Sequence, residues 1–386
     1  MNVASKRIKI AFFSEDFSRQ AKGTAIVVQK LAEQYLNNFS DRIELVLIRK
    51  AGICRHPLAG KMRNIEIKVY QMSFFSTLIS YLIFFIKNRE EFDAVIFNRN
   101  VYPGFWLLNS KKFILLLYDA PVMDTYKIDL SFDNRMLYSF LKYVGRHFLD
   151  SVIAISEDAR KNIIAYFKMR PLQVSVIYGA ASDIFRPFSN EEKQETKKVL
   201  ENQYGIYTPF ILDVSRLDPH KNLETLIDAF AILKNQEWLP HKLVIVGGRH
   251  LPEYTRMIEG KIENLSLVKD VIIAPYIQDK DLPAVYNLAD LLVYPSLLEG
   301  FGLPVVEAMQ CGIPVITSDI SALAEVAGGA AILVDPRDTK QLSSKIFEVL
   351  NNSSLRRELV KKGLDRSKIF SWHKTAAEMF GIIASR

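Results

Sequence analysis

Two carboxylates flank a pair of glycines at a predicted helix start, in a stretch that reads PSLLEGFGLPVVE with Glu299 before the glycines and Glu307 in the first turn. Pro304 suits the first helical position, because its missing N–H has no intrahelical partner there. The free backbone N–H groups of residues 300–303 favour an anion such as a phosphate. The glutamates would repel that anion, so we expect them to accept hydrogen bonds from hydroxyls on either side. A phosphate between two hydroxyl-rich groups describes a nucleotide sugar.

A second stretch, SRLDPHKN, follows a predicted strand at 210–214 and opens the next predicted helix. Lys221 lies at the positive end of that helix, where a cation is unfavourable unless an anion joins it. Arg216 adds a planar fork that suits phosphate. The alternative is that both cations form surface ion pairs with Asp213 or Asp218.

These groups predict chemistry on a diphosphate without a metal ion. Breaking a sugar–phosphate bond leaves negative charge on the diphosphate, which Arg216, Lys221 and the helix amides would stabilise electrostatically. The candidate Asp-x-Asp sequence at 279–281 lies in a polar stretch and is interpreted as a solvated loop. We therefore expect no metal and no other cofactor.

Apolar runs alternate with helical patterns along the chain, which predicts an α/β fold. Continuous apolar strands are typical of parallel sheets covered on both faces. The strands form two series, and two series predict two doubly wound domains with ligands at the carboxyl ends of their strands. We expect the joint near residues 185–190. The predicted strands are 8–13, 43–48, 94–97, 113–117 and 152–155, then 210–214, 243–246, 271–274, 291–294, 315–317 and 332–334.

Composition limits the classes of protein to consider. A chain of 386 residues is long for one core and suits two domains. The net charge of +7 arises in the first 175 residues, which indicates an anionic partner such as lipid headgroups or a lipid diphosphate. No nucleic-acid module is recognisable, and the first strand–helix turn lacks the G-x-G-x-x-G of nicotinamide-binding domains. The two cysteines match no metal or disulfide spacing, which favours a reducing cytoplasm.

Residues 72–86 form the most apolar segment, MSFFSTLISYLIFFI, and are bounded by Lys68, Lys87 and Arg89. The segment is short of the roughly 20 apolar residues that span a bilayer. It suits either a helix buried against the first sheet or a helix at the membrane interface, with aromatics such as Phe84 and Phe85 in contact with lipid. We expect both in part, and hence peripheral contact with the cytoplasmic face of a membrane.

The two glutamates, with seven residues between them, resemble the motif of the retaining GT-B glycosyltransferases of family 4, the glycosyl transferases group 1. The resemblance implies two Rossmann-like domains with an interdomain cleft. Residues 1–187 would bind the acceptor, residues 188–369 the nucleotide sugar, and a C-terminal helix at about 370–386 would pack back on the first domain.

The resemblance also implies residue roles. Glu299 would lie by the transferred sugar, Glu307 would hold the ribose, and Arg216 with Lys221 would grip the diphosphate. The implied donor-binding residues are Gly23, Arg216, Lys221, Gly247, Ile277, Glu299, Gly300, Phe301, Gly302, Leu303 and Glu307.

The first half departs from the family pattern. Many relatives place a histidine at the end of the fourth strand, where this chain has Tyr118 followed by Asp119. A tyrosine can donate a hydrogen bond to the sugar but cannot act as a base near neutral pH. Asp119 either holds an acceptor hydroxyl or caps the next turn. The expected catalytic set is Arg216, Lys221, Glu299, Asp119 and Tyr118.

The motif after residue 316, ending in VDP at 334–336, is most similar to bacterial mannosyl- and rhamnosyltransferases of surface-polysaccharide assembly. The sequence thus predicts transfer of a hexose, with GDP-mannose as the favoured donor, to a saccharide acceptor carried on a lipid. A UDP-hexose donor, a nucleotide-sugar epimerase and a non-catalytic nucleotide-sugar-binding subunit remain as alternatives.

Overall fold

The chain forms two compact units. Unit 1 comprises Met1–Gly179 with Trp372–Arg386, and unit 2 comprises Ala180–Ser371. The division at residue 179 lies ahead of the expected joint. The computed structural model describes residues 7–14, 24–51, 56–68, 74–118, 132–236, 239–249 and 251–385.

Unit 1 contains a seven-stranded sheet in the order β3-β2-β1-β5-β7-β8-β9, and each pair of neighbours is parallel. The short strands β4 and β6 pair separately. Of these strands, β3, β4, β6 and β9 were not predicted, because β3 carries two charged residues and the other three are very short. The strands are β1 (Ile8–Phe13), β2 (Ile43–Lys50), β3 (Arg63–Ile67), β4 (Glu91–Phe92), β5 (Ala94–Asn98), β6 (Asn109–Ser110), β7 (Phe113–Leu116), β8 (Ser151–Ala154) and β9 (Val174–Val176).

Both faces of this sheet are buried, which explains the unbroken apolar runs. Successive side chains of a strand point to opposite faces. Ile10 and Phe12 accordingly belong to one core cluster, whereas Ala11 and Phe13 belong to another. The described helices that flank the sheet are α1 (Thr24–Asn38), α2 (Phe74–Lys87), α3 (Phe132–Tyr143) and α4 (Glu157–Phe167).

Unit 2 contains a six-stranded parallel sheet in the order β12-β11-β10-β13-β14-β15. All six strands were predicted from their apolar runs. They are β10 (Phe210–Val214), β11 (Lys242–Val246), β12 (Val271–Ile273), β13 (Leu291–Tyr294), β14 (Val315–Ser318) and β15 (Ile332–Val334).

The helices of unit 2 connect these strands in the usual alternation. The helices are α5 (Asn190–Val199), α6 (Leu223–Gln236), α7 (Pro252–Asn264), α8 (Leu282–Leu288), α9 (Leu303–Cys311), α10 (Ser321–Ala327), α11 (Thr339–Asn351) and α12 (Ser353–Ser367).

The C-terminal helix α13 (Trp372–Ala384) returns to unit 1. Its residues Ala376, Met379 and Phe380 join the cluster formed by β1 and α1. Thr375 adds a hydrogen bond of 2.7 Å to the carbonyl of Tyr178. The last helix is therefore part of the first core.

The two parallel sheets confirm the predicted α/β class with two Rossmann-like doubly wound domains. Among the residues that the structure describes, no helix is long and apolar enough to cross a membrane.

Candidate active site

The candidate site of unit 2 lies at a topological switch point. In its sheet β10 is central, β11 and β12 follow on one side, and β13 to β15 lie on the other. Loops that leave the carboxyl ends of β10 and β13 therefore diverge and open a crevice where ligands bind in such folds. Both predicted motifs fall here: the loop after β10 carries Lys221, and the loop after β13 carries Glu299.

Lys221 and Glu299 meet across this crevice. The ammonium of Lys221 donates to Oε1 of Glu299, and the hydroxyl of Tyr294 donates to the same oxygen at 2.6 Å. The Lys221 ammonium also lies 3.0 Å from the Tyr294 hydroxyl. The Lys221 and Glu299 side chains are only 11% and 14% exposed. The structure thus brings together two of the predicted catalytic residues and adds Tyr294.

This environment keeps Glu299 ionised at neutral pH. Burial alone would raise the pKa of its carboxyl group, but the charge and hydrogen bond of Lys221 and the hydrogen bond of Tyr294 outweigh it, and the pKa lies below the ordinary value. Burial and the same carboxylate raise the pKa of Tyr294 well above its usual range, so its phenol remains a donor. The cluster therefore contains one cation, one anion and one neutral hydroxyl.

Asp213 lies at the end of β10 and is fully buried. Its Oδ1 accepts a hydrogen bond from the Ser215 hydroxyl, whereas Oδ2 has no hydrogen-bond partner. Burial raises the pKa of Asp213 to about 7, although the hydrogen bond of Ser215 and the charge of Lys221 lower it in part. The alternative that Lys221 forms a surface ion pair with Asp213 or Asp218 is wrong, because Lys221 is buried against Glu299.

Arg216, in contrast, forms the ion pair with Asp218 that the alternative predicted. Its guanidinium lies 3.0 Å from Asp218, and its side chain is 56% exposed. The charge of Arg216 is among those that lower the pKa of His220, after burial and the charge of Lys221, so the two cations share a neighbourhood. Arg216 therefore stands at the edge of the Lys221 cluster.

Asn222 fixes the loop that carries Lys221. It adopts a left-handed conformation with φ 58° between the short helical turn Pro219–Lys221 and α6. Its amide donates to the carbonyls of Pro295 at 3.0 Å and Pro336 at 2.6 Å. One side chain therefore ties together the loops after β10, β13 and β15, a role that the sequence analysis missed.

Ser296 makes a second connection, since its hydroxyl donates to the carbonyl of His220 at 2.9 Å. The backbone N–H of Leu297 donates to the same carbonyl at 2.8 Å. The Lys221 loop and the Glu299 loop are thus joined by direct hydrogen bonds.

Gly247, predicted to lie by the donor, is required by a close approach of two backbones. A Cβ at this position would lie 1.9 Å from the carbonyl oxygen of Ser215. The neighbouring Gly248 has open space at the same position, and its carbonyl accepts from Leu217 at 3.1 Å. Gly247 therefore allows the loop after β11 to lie against the loop after β10.

Helix α9 begins one residue earlier than predicted, at Leu303, with Pro304 in second place. Gly302 precedes it with φ 101°, and Gly312 ends it in the left-handed conformation. The prediction that Glu307 lies in the first turn is wrong, because the earlier start moves it into the second turn. The helix dipole in the first turn therefore does not account for this glutamate.

Glu307 occupies a different environment from Glu299. It accepts a hydrogen bond of 2.6 Å from the buried hydroxyl of Tyr286. Burial raises the pKa of Glu307 to about 7, and the Tyr286 hydrogen bond only partly opposes this. An acid with this pKa can exchange hydrogen bonds with ribose hydroxyls in either protonation state.

Four further predicted donor-binding residues have defined surroundings. Phe301 is buried edge-on against Phe370, with ring centroids 5.3 Å apart. Ile277 is also buried, so a ligand there would meet its backbone. Gly300 and Leu303 bracket the start of α9. In the candidate Asp-x-Asp stretch, Asp281 accepts a hydrogen bond of 2.7 Å from Tyr204, and the expectation of metal-free chemistry stays a prediction.

Of the three predicted site residues in unit 1, the structure describes only Tyr118. Tyr118 is 9% exposed within a core cluster, and its hydroxyl donates to Oδ1 of Asn98 at 2.9 Å. Burial raises the pKa of this phenol, so it is neutral near pH 7. Gly23 and Asp119 lie outside the residues that the structure describes. Their roles, and that of Tyr118 toward a sugar, stay predictions.

Comparison with known proteins gives a family match that lies within unit 2. Residues 194–366 match the family model Glycosyl transferases group 1. The chain is 32% identical over 228 residues to the serotype-specific mannosyltransferase WbdA of Escherichia coli, covering 59% of this chain and 28% of WbdA. It is 30% identical over 227 residues to O-antigen chain mannosyltransferase B of the same species, covering 59% of this chain and 58% of that protein. The chain thus spans less than two thirds of the length of these relatives.

Solved structures extend the likeness to the whole chain. Anabaena Alr3699/HepE in complex with UDP and glucose superposes with a TM-score of 0.77 at 18% identity, covering 98% of this chain and 100% of that one. A glycosyltransferase from Rickettsia africae superposes with a TM-score of 0.73 at 18% identity, covering 98% of both chains. At this identity the likeness establishes the fold. The chain has the GT-B fold of these glycosyltransferases, and its residues 194–366 match the glycosyl transferases group 1 family model.

Proposed function

We propose that this protein is a retaining glycosyltransferase that moves a hexose from a nucleotide diphosphate sugar, with GDP-mannose favoured, to a saccharide acceptor. The observation that carries the proposal is the meeting of Lys221, Glu299 and Tyr294 at the switch point of a group 1 domain. The mannosyltransferase relatives of O-antigen synthesis favour mannose. We also propose that the acceptor is linked to a lipid and that transfer occurs at the cytoplasmic face of a membrane, in surface-polysaccharide assembly.

In the proposed reaction the bond between the anomeric carbon and the diphosphate oxygen breaks, and its electron pair stays on the diphosphate. The acceptor hydroxyl oxygen forms the new bond on the face that the leaving group vacates. Its proton passes to a departing phosphate oxygen. Lys221 and the backbone N–H groups at the start of α9 would neutralise the charge that grows on the diphosphate.

Glu299 and Tyr294 have supporting roles in this scheme. An ammonium carries three N–H donors, so Lys221 can keep its bond to Glu299 while it binds a phosphate oxygen. Glu299 is ionised and can accept hydrogen bonds from hexose hydroxyls. Tyr294 holds Oε1 of Glu299 and so fixes the orientation of the carboxylate.

Arg216 would act at the rim of the site. Its side chain is 56% exposed, whereas the Asp218 side chain that it pairs with is only 7% exposed. A guanidinium has five N–H donors, so Arg216 can bind a diphosphate oxygen while it keeps its pair with Asp218. No metal is required in this scheme, because two cations and the helix amides supply the positive charge.

The test is a transfer assay on the purified chain with a panel of nucleotide sugars and a saccharide acceptor. We expect GDP-mannose to raise the melting temperature and to release GDP only when acceptor is present, since a ligand stabilises the state that binds it. Lys221→Met should lower kcat/KM by at least about 100-fold, a typical loss when one electrostatic donor is removed.

Lys234→Met is the matched control. Lys234 also forms a half-buried ion pair, 2.9 Å from Asp270, but that pair lies at the amino-end edge of the same sheet. We expect its kcat/KM to stay near the wild-type value. Equal losses in the two variants would contradict the site assignment.

The remaining alternatives give distinct outcomes in the same assay. Stabilisation and transfer with a UDP-hexose alone would replace the donor. Conversion of the nucleotide sugar without acceptor would indicate an epimerase. Binding without turnover for every acceptor tried would indicate a non-catalytic subunit.

A further inference from the structure

Helix α2 of unit 1 presents an uncharged apolar stripe to solvent. Phe75, Ile79, Ile83 and Ile86 are 60%, 58%, 46% and 49% exposed, and they recur at helical spacing. The opposite face, with Tyr81 and Phe85, is buried in the core. Apolar residues therefore occupy both the inner and the outer face of this helix.

This division corrects the sequence expectation that Phe84 and Phe85 would contact lipid. Phe85 is fully buried, and Phe84 packs partly against the same core. The side chains that face solvent are instead Phe75, Ile79, Ile83 and Ile86, which lie about one helical turn apart.

Helix α3 continues the apolar surface with a second stripe at helical spacing. Phe132, Met136 and Tyr143 are 60%, 41% and 67% exposed. The ring of Phe132 lies 5.9 Å, edge to face, from that of Phe74 at the start of α2. The two helices therefore lie side by side at this end.

A bridge of aromatic and aliphatic side chains joins the helices further along. A Cβ at Gly104 would lie 2.6 Å from Leu82 and 3.6 Å from the half-exposed Leu107, so these side chains converge there. The neighbouring Trp106 stacks on Phe148 at 4.2 Å and on Phe140 of α3 at 6.1 Å. The two stripes and the bridge form one surface, which we call the apolar face. Its exposed members are Phe75, Ile79, Leu82, Ile83, Ile86, Leu107, Phe132, Met136, Tyr143, Val144 and Phe148.

Positive charge borders the apolar face. The only charged residue of α2 is Lys87 in its last turn; Arg89, Glu90 and Glu91 follow it, and Glu90 is paired with Lys9. In α3 the single acid, Asp133, is outnumbered by Arg135 and Lys142. Apolar side chains bordered by lysine and arginine match a bilayer surface with anionic headgroups better than they match a protein partner.

We propose that the apolar face of unit 1 inserts into the interfacial layer of a membrane containing anionic lipid. The helices have 14 and 12 residues, about 21 and 18 Å at 1.5 Å per residue, and therefore lie in the interface rather than cross it. The biological purpose rests on the proposed function, because a lipid-linked acceptor is presented at that surface.

Sedimentation of the full chain with vesicles tests this proposal without donor or acceptor. We expect binding to vesicles of phosphatidylethanolamine and phosphatidylglycerol, and weaker binding to phosphatidylcholine or at high salt. Ile79→Ser combined with Ile83→Ser should lower the partition constant at least about tenfold, because two exposed side chains lose their transfer into lipid.

Val268→Ser is the matched control, since Val268 is an apolar residue of unit 2 that is 64% exposed. Its partition constant should equal that of the wild type. The melting temperature and circular dichroism of each variant are compared with those of the wild type, so that misfolding is recognised.

Two results would overturn the proposal. The first is vesicle binding by the double variant equal to that of the wild type. The second is a wild-type dimer in light scattering that the double variant abolishes, with no vesicle binding by either, which would assign the face to a second copy of this chain. Transfer from GDP-mannose is measured in parallel with a free and with a lipid-linked saccharide acceptor; its absence with both in the wild type would reject the proposed function and leave the vesicle result standing.

Discussion

The two units share a topology but differ in how their polar residues are fixed. Each has a parallel sheet that grows in both directions from its first strand, β1 or β10. In unit 2 the loops at the carboxyl ends carry Lys221 and Glu299 in direct contact. In unit 1, Tyr118, which follows β7, donates its hydroxyl hydrogen bond to Asn98 inside the core. The family match at 194–366 also falls within unit 2. Binding a diphosphate demands particular charges and glycines at particular places, whereas the topology alone demands neither.

The largest effect should come from the close approach in unit 2. Gly247→Ala would place a Cβ 1.9 Å from the Ser215 carbonyl, so the loops after β10 and β11 must separate. We expect donor binding to fall by about tenfold or more, together with a loss of about 1–3 kcal/mol in the free energy of unfolding. Calorimetric titration of GDP-mannose and urea unfolding measure the two.

Gly248→Ala provides the comparison, because its Cβ would meet open space. It should leave both quantities near their wild-type values. Equal behaviour of the two variants would show that the close approach is not what shapes the site.

The next effect separates the two glutamates. Tyr294→Phe removes the hydrogen bond that the neutral phenol donates to the Glu299 carboxylate. Hydrogen bonds to charged groups contribute about 1.5–3 kcal/mol. We expect kcat to fall at least about tenfold. Tyr286→Phe removes the equivalent bond to Glu307 and should mainly raise the KM for the donor. A fall in kcat for Tyr286→Phe as large as that for Tyr294→Phe would show that the glutamates do not divide their roles.

The buried Asp213 predicts a pH dependence of stability. Its folded pKa is raised to about 7, above that of an unfolded aspartate, so the folded state binds more protons and stability falls as pH rises between about 4 and 7. Asp213→Asn imitates the protonated form and should gain at least about 1 kcal/mol over the wild type at pH 8 relative to pH 5. Urea unfolding at the two pH values measures the gain. A constant difference would contradict the raised pKa.

The smallest effect is expected in unit 1. Tyr118→Phe removes a buried hydrogen bond to Asn98 and should cost about 1 kcal/mol of stability. If Tyr118 serves only the core, kcat/KM for the donor should change less than about threefold. A loss of about 100-fold with unchanged stability would give this tyrosine the sugar contact that a histidine makes in many relatives, and would narrow the contrast between the units.

The spacing of residues in the sequence predicted Lys221 and Glu299 at the centre of the site, but not the residues that hold them in place. Glu299 and Lys221 were recognisable because charged residues stood beside glycines and helix starts. Tyr294 was not, since it reads as the last residue of a buried strand. Asn222 offered a signal, because asparagine directly before a helix is a common left-handed residue. The start of α9 was misplaced by one residue because proline is tolerated throughout a first turn, and Glu307 moved with it.

The amide of Asn222 has a consequence for how tightly a donor can bind. It joins three loops from different parts of the chain, and Ser296 reinforces two of them. A nucleotide sugar bound as proposed would therefore enter a site whose loops are already joined to one another, and little chain entropy would be spent on shaping it. Tight recognition can then coexist with fast product release, because neither event has to wait for the site to be rebuilt.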